Sequence, residues 1–159
     1  MIPCYEKNIV EIKKEYTSFL LDILAPLLYE GLMSIYTNCI DQHNKLMIKN
    51  KNSKNASPGV LKIFQLQLKD IPALNNHKIE TETNRIREGS KCSSWFDNLI
   101  RAVIKSNIIL LTFNNPNFME EDYHDRVDTN SFIHKCYIEC AKCFYMNPYL
   151  FWHDYQNAQ

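Results

Sequence analysis

The sequence has little glycine, little arginine and no net charge. Only 3 of its 159 residues are Gly, so a glycine-rich phosphate-binding loop has no place to form. Its 18 basic residues balance 18 acidic ones, whereas binding to nucleic acid or anionic membranes needs a basic surplus or a segregated basic face. Four Arg against 14 Lys leave few of the bidentate groups that bases and phosphates favour. Nucleic acid is therefore not expected as a partner.

Signals for export and membrane insertion are also missing. The first residues, MIPCYEK, contain no apolar run behind a basic segment, so no secretory signal is expected. The most apolar stretch, residues 18–36, contains Asp22, Pro26 and Glu30. Each acid at mid-membrane costs about 2.5 to 3.5 kcal/mol, so no transmembrane segment is expected. Six Cys without a signal indicate reduced thiols in a cytosolic protein.

The composition that is present is that of a folded protein. With 45% hydrophobic and 23% charged residues, the chain can bury a core, and its length suits one domain over residues 1–159. Apolar residues recur at helical spacing through most of the chain. The sequence therefore predicts an all-α fold, a single compact helical bundle of five or six helices.

The first third of the chain predicts either two helices or one kinked helix over residues 6–47, because Pro26 interrupts the pattern. Polar residues line one side of this stretch and large apolar ones cover the rest, which predicts a central, mostly buried helix with a narrow polar stripe. The stretch 49–59 is predicted to be a loop. Residues 60–71 predict a helix, with a short strand as the alternative.

The rest of the chain predicts three helices with defined starts. Asn75 and Asn76 are good caps for a helix running to Gly89, whose predicted inward positions are Ile79, Thr83 and Ile86. Ser94, with Asp97 three residues later, should open the next helix. The end of that helix, residues 108–113, is β-branched enough to be extended instead. A long acidic loop follows at 114–130. Asp128 or Asn130 should cap the last helix, and an aromatic tail occupies 148–159.

The sharpest motif is a triplet of cysteines, Cys136, Cys140 and Cys143. Its C-x3-C-x2-C spacing is that of the iron–sulfur triplet in radical S-adenosylmethionine enzymes. On a helix, however, the outer Cα atoms would be about 10 Å apart, too far for one tetrahedral zinc ion. We expect a stripe of small, buried apolar side chains, with no metal and no cofactor. A metal or thiol enzyme remains the alternative that bound iron or zinc would establish.

Two clusters of charged residues are the other candidate sites. The acidic run of residues 120–125 lacks the spaced ligands and central Gly of a calcium loop, so a solvated loop is expected. Lys45, Lys49, Lys51 and Lys54 form the one basic patch, which could touch phosphate. Its Asn and Ser neighbours and its lack of aromatic residues favour a mobile surface loop instead.

Aromatic residues are concentrated near the C-terminus. Tyr and Trp dominate interface hot spots, so side chains that do not fold back onto the domain would contact another protein. The candidates for this contact are Tyr145, Tyr149, Phe151, Trp152 and Tyr155.

Two strings carry a family resemblance. Residues 64–95, FQLQLKDIPALNNHKIETETNRIREGSKCSSW, and 132–151, FIHKCYIECAKCFYMNPYLF, resemble a family of small proteins of nucleocytoplasmic large DNA viruses, above all in the HKCYIECA and NPYLF motifs. The resemblance covers most of residues 9–152. It implies no catalytic residues.

The resemblance implies a role in a virus particle. The expected function is that of a viral structural protein, a minor capsid component that acts through protein–protein contacts without catalysis. Its expected partners are other viral structural proteins, among them the major capsid protein. Its expected location is the virion, and the viral factory in the host cytoplasm during assembly. The alternative is a non-virion helical adaptor in viral transcription or factory organisation.

Overall fold

The computed structural model describes residues 4–49, 58–112 and 127–152, and this part of the chain is helical. The α-helices are α1 (Cys4–Lys49), α2 (Val60–Asp70), α3 (Asn76–Gly89), α4 (Phe96–Thr112) and α5 (Thr129–Met146). Short 3-10 turns follow α2 at Ile71–Ala73 and α5 at Pro148–Phe151. The described ranges contain no strand, so the predicted all-α fold is confirmed and the strand alternative for residues 60–71 is wrong.

Helix α1 is continuous through Pro26. Its buried residues include Leu20, Leu24, Leu28, Leu32 and Tyr36, each one turn after the last. The predicted polar stripe is exposed as expected. The prediction of a mostly buried helix is wrong, because large apolar side chains on other sides of α1 are exposed, namely Val10, Ile12, Tyr16, Phe19, Leu21 and Tyr29.

The predicted caps of α3 and α5 are confirmed. The Asn75 side chain accepts a hydrogen bond from the Lys78 amide at 2.9 Å. Asp128 accepts bonds from the amides of Asn130 and Ser131 at 3.2 and 3.1 Å. Both side chains satisfy amides that the first helical turn leaves without partners.

The predicted start of α4 needs correction, whereas its predicted helical end is confirmed. The helix begins at Phe96 after a turn in which the Trp95 amide donates to the Cys92 carbonyl, so Ser94 lies before the cap position. The helix continues to Thr112, so the alternative of extended chain from residue 108 is wrong up to that residue. Among the predicted loops, residues 50–57 and 113–126 lie outside the described residues. Residues 148–151 of the predicted tail form a 3-10 turn.

The chain divides into two compact units. Unit 1 comprises Met1–Leu27 and Glu80–Phe132, and unit 2 comprises Leu28–Ile79 and Ile133–Gln159. The boundary falls inside α1, α3 and α5. Each unit is a small helical bundle with its own buried residues. The single domain expected over residues 1–159 stays a prediction.

In unit 1, helix α3 lies close to α1. A Cβ added at Gly89 would lie 2.8 Å from Leu27 Cδ2, so the absent side chain leaves room for that leucine. Arg85 Nη2 donates to the Leu27 carbonyl at 2.6 Å. Of the three inward positions predicted on α3, Thr83 and Ile86 are fully buried and Ile79 is half-buried.

Candidate interaction surface

The C-terminal end of unit 2 is held by one buried ring. Phe151 is 1% exposed, although it lies in a short 3-10 turn. Four aromatic rings surround it, with centroids at 4.7 Å (Phe144), 5.1 Å (Phe64), 5.5 Å (Tyr29) and 5.9 Å (Tyr36). These distances are within the range of favourable aromatic pairs. Phe151 therefore fixes the turn to the core of unit 2.

Hydrogen bonds fix the same segment from the other direction. The amide and the side-chain Nδ2 of Asn147 both donate to the Cys143 carbonyl, at 3.2 and 3.1 Å. The Tyr149 hydroxyl donates to Asn147 Oδ1 at 3.3 Å. Gln65 of α2 donates to the Tyr145 carbonyl at 2.8 Å, which satisfies one of the last carbonyls of α5.

With Phe151 turned inward, the neighbouring apolar side chains face outward. We call this set the C-terminal surface: Tyr145, Met146, Tyr149, Leu150 and Trp152. Tyr145, Tyr149 and Trp152 are 37%, 46% and 42% exposed, and Met146 is 76% exposed. These exposed apolar side chains make the C-terminal surface a candidate interaction site.

The five partner-contact candidates from the sequence are thus placed differently. Tyr145, Tyr149 and Trp152 lie on the C-terminal surface. Phe151 is corrected to a core residue, because its ring is enclosed by other aromatics and cannot reach a partner. Tyr155 lies outside the described residues.

A groove in unit 2 adjoins this surface, and it was not predicted from the sequence. Its volume is about 320 Å³, and we call it the α2–α5 groove. It is lined by Leu68, Lys69 and Pro72 on one wall and by Ile138, Ala141, Lys142, Tyr145 and Met146 on the other. The only signal in the sequence is that residues 138, 141, 142 and 145 share one face of a helix.

The cysteine stripe of α5 consists of free thiols, but it is not buried as predicted, because Cys136 and Cys140 are half-buried and Cys143 is exposed. Burial raises the pKa of Cys136 to about 11, and the neighbouring Cys140 adds to the shift. Burial, then Cys143 and Glu139, raise the pKa of Cys140. Electrophiles react with thiolates, and these two groups are thiols at neutral pH. The described residues hold no group of three or more His, Cys, Asp or Glu placed for a metal ion.

The other predicted sites fall mostly beyond the described ranges. The acidic run at 120–125 and the basic residues Lys51 and Lys54 lie outside them. Lys45 and Lys49 are exposed on the last turns of α1. In the described part of the chain, one helix within Lys7–Lys49 is long and apolar enough to cross a membrane, with a mean hydropathy of 1.5 in its most apolar window. That is weak evidence for a span, since core helices and signal sequences share these properties.

Comparison with known proteins gives one match. No curated protein matches the chain, and no solved structure matches it. A family model matches residues 6–152. This range covers α1 from Glu6, the whole of α2 to α5, the α2–α5 groove and the C-terminal surface. The chain therefore belongs to the family of unknown function DUF5764.

Proposed function

We propose that this chain is a non-catalytic interaction protein that binds another protein through its C-terminal surface. The observation that carries the proposal is the inward position of Phe151, which holds the turn at 148–151 so that Tyr149, Leu150 and Trp152 face solvent. A surface already fixed in this way loses little conformational entropy when a partner covers it. Tyr and Trp are also the residue types that most often dominate binding energy.

The proposed setting is a virus particle, and it rests on the sequence resemblance alone. In that setting the chain is a minor capsid component that contacts other viral structural proteins, including the major capsid protein. Its location is the virion, and before that the cytoplasmic factory. Burial of the C-terminal surface against a capsid neighbour would be its whole function, with no reaction and no cofactor.

A second candidate is a non-virion adaptor in viral transcription or factory organisation. The observation that favours it is the exposure of Lys45 and Lys49 at the end of α1, which the lysines at 51 and 54 follow in the sequence. Binding of nucleic acid that weakens steeply with salt, and that is lost when these lysines are neutralised, would support this adaptor.

The test uses a photoreactive amino acid at position 149 of the full chain, expressed in infected cells. The expected result is cross-linking to a structural protein in purified particles, and detection of the chain in those particles by mass spectrometry. Tyr149→Ala with Trp152→Ala should lower incorporation at least about tenfold. The matched control is Leu46→Ala with Met47→Ala, which removes exposed apolar groups from α1 in the same unit. Absence from particles, or equal loss in both double variants, would overturn the proposal.

A further inference from the structure

We infer that the α2–α5 groove receives an amphipathic helix with acidic flanks from the partner protein. This inference rests on the proposed function and names the chemistry of the partner segment. The floor of the groove is apolar, with Leu68, Ile138 and Ala141 buried or half-buried. Its volume of about 320 Å³ is at the lower end of the range for binding pockets. It therefore suits a few apolar side chains of a larger ligand.

The charge of the rim selects an acidic partner. Lys69 is exposed on one wall and Lys142 on the other. Lys142 pairs with Glu139 at 2.6 Å, but both side chains are more than half exposed, so this pair costs little to exchange for another carboxylate. The two nearby acids, Asp70 and Glu139, are not among the residues that line the groove.

The charge of the whole unit points the same way. Unit 2 contains nine basic and five acidic residues, whereas unit 1 contains nine basic and thirteen acidic residues. A net positive unit attracts an acidic segment over longer distances than the two rim lysines alone. Opposite charge at the rim also fixes the register of the bound segment.

The shape of the site favours a helix over an extended strand. Its walls are the helices α2 and α5, and the described residues offer no sheet edge to which a strand could add. A helix laid into a groove inserts residues at i, i+3, i+4 and i+7. Met146, at the exposed end of the groove, is flexible enough to adapt to different apolar side chains.

The test uses two fluorescein-labelled model peptides and the full chain. Both peptides are helical 16-mers with Leu at i, i+3, i+4 and i+7; one has Glu and the other Lys at the flanking positions. Fluorescence anisotropy should show binding of the Glu peptide and at least about tenfold weaker binding of the Lys peptide. Equal binding of the two peptides, or no binding of the Glu peptide, would overturn the inference.

Two variants locate the binding. Lys69→Glu with Lys142→Glu should weaken the Glu peptide about tenfold or more and favour the Lys peptide. Met146→Glu, at an exposed position, should also weaken the Glu peptide. The matched control, Lys62→Glu with Lys135→Glu, makes the same change of charge on the same two helices outside the groove and should change the affinity much less.

The outcomes separate this inference from the proposed function. If the control variant weakens the Glu peptide as much as the rim variant, binding depends on overall charge and the groove assignment falls. A dimer of the free chain that Met146→Glu dissociates would mean that a second copy occupies the groove, and would also overturn it. In either case the cross-linking experiment at position 149 still tests the proposed function independently.

Discussion

The two units are stabilised by different kinds of contact. In unit 2, four aromatic rings enclose Phe151, and the polar bonds described above lie at its edges. In unit 1, the buried residues are mainly aliphatic, and charged side chains connect the helices. Arg87 and Thr129 both donate to the Asp97 carboxylate, at 3.2 and 3.0 Å, so that α3, α4 and the start of α5 meet at one acid.

This difference predicts which kind of change destabilises each unit. Aromatic packing responds to lost volume and is indifferent to pH, whereas the contacts at Asp97 depend on charge. Net charge divides in the same way, since unit 1 has an acidic excess and unit 2 a basic one. The zero net charge of the chain is therefore the sum of a negatively charged unit 1 and a positively charged unit 2.

The largest effect should come from removing the central ring of unit 2. Phe151→Ala deletes a buried ring in contact with four others, and such changes cost about 3 to 5 kcal/mol of unfolding free energy. Urea unfolding measures the loss, and amide hydrogen exchange should show it mainly in α2 and residues 133–146. Leu150→Ala, next to it and 48% exposed, should change stability by less than about 0.5 kcal/mol. A similar loss for both variants would mean that Phe151 does not anchor the turn.

A smaller effect is expected at the polar centre of unit 1. Asp97→Ala leaves Arg87 and the buried Thr129 without their shared acceptor, which should cost about 1 to 2 kcal/mol. The loss stays in this range because the Asp97 side chain is 41% exposed. Faster amide exchange should appear in α4 and in residues 80–89, with α2 unchanged. Asn98→Ala, at the neighbouring exposed position of α4, is the control. Equal acceleration in α2 would contradict the division into two units.

Local relations in this fold could be predicted from the sequence. The caps at Asn75 and Asp128 and the buried face at Thr83 and Ile86 depend on residues three or four positions apart, and the structure confirms them. Helical spacing also located α2, α3, α4 and α5 to within a few residues, but it left open whether residues 6–47 form one helix or two. Such features are determined by the chain within one or two turns.

Features that depend on distant residues were not predictable in this way. Asp97 looked like part of a capping box with Ser94, but its partners Arg87 and Thr129 lie 10 and 32 positions away. The α2–α5 groove joins residues 68–72 to 138–146, and the burial of Phe151 requires rings from three helices. Periodicity shows which side of a helix is apolar. It does not show which helix covers that side or whether any does, as the exposed side of α1 illustrates.

The smallest effect concerns the cap of α5 in unit 1. Asp128→Ala removes an acceptor for two backbone amides, which should lower stability by about 1 kcal/mol. Asp128→Asn keeps a side-chain acceptor but removes the charge. Comparing the two in urea unfolding at neutral pH separates the hydrogen bonds from the charge, and Asp128→Ala should be the less stable.

The charge part of this cap should depend on pH with a definite sign. The bond from the Ser131 hydroxyl, supported by the amides of Ser131 and Asn130, lowers the pKa of Asp128. A carboxyl whose pKa is lower in the folded state stabilises above its unfolded pKa of about 3.9. The contribution is lost as the pH falls through the folded pKa. The difference in unfolding free energy between the natural chain and Asp128→Asn should therefore be constant near neutrality and shrink in acid.

In a Ser131→Ala background this pH-dependent difference should be smaller, because the main cause of the shift is gone. An unchanged pH profile in that background would mean that the hydroxyl of Ser131 does not control Asp128, and that unit 1 is less sensitive to charge at this helix start than at Asp97.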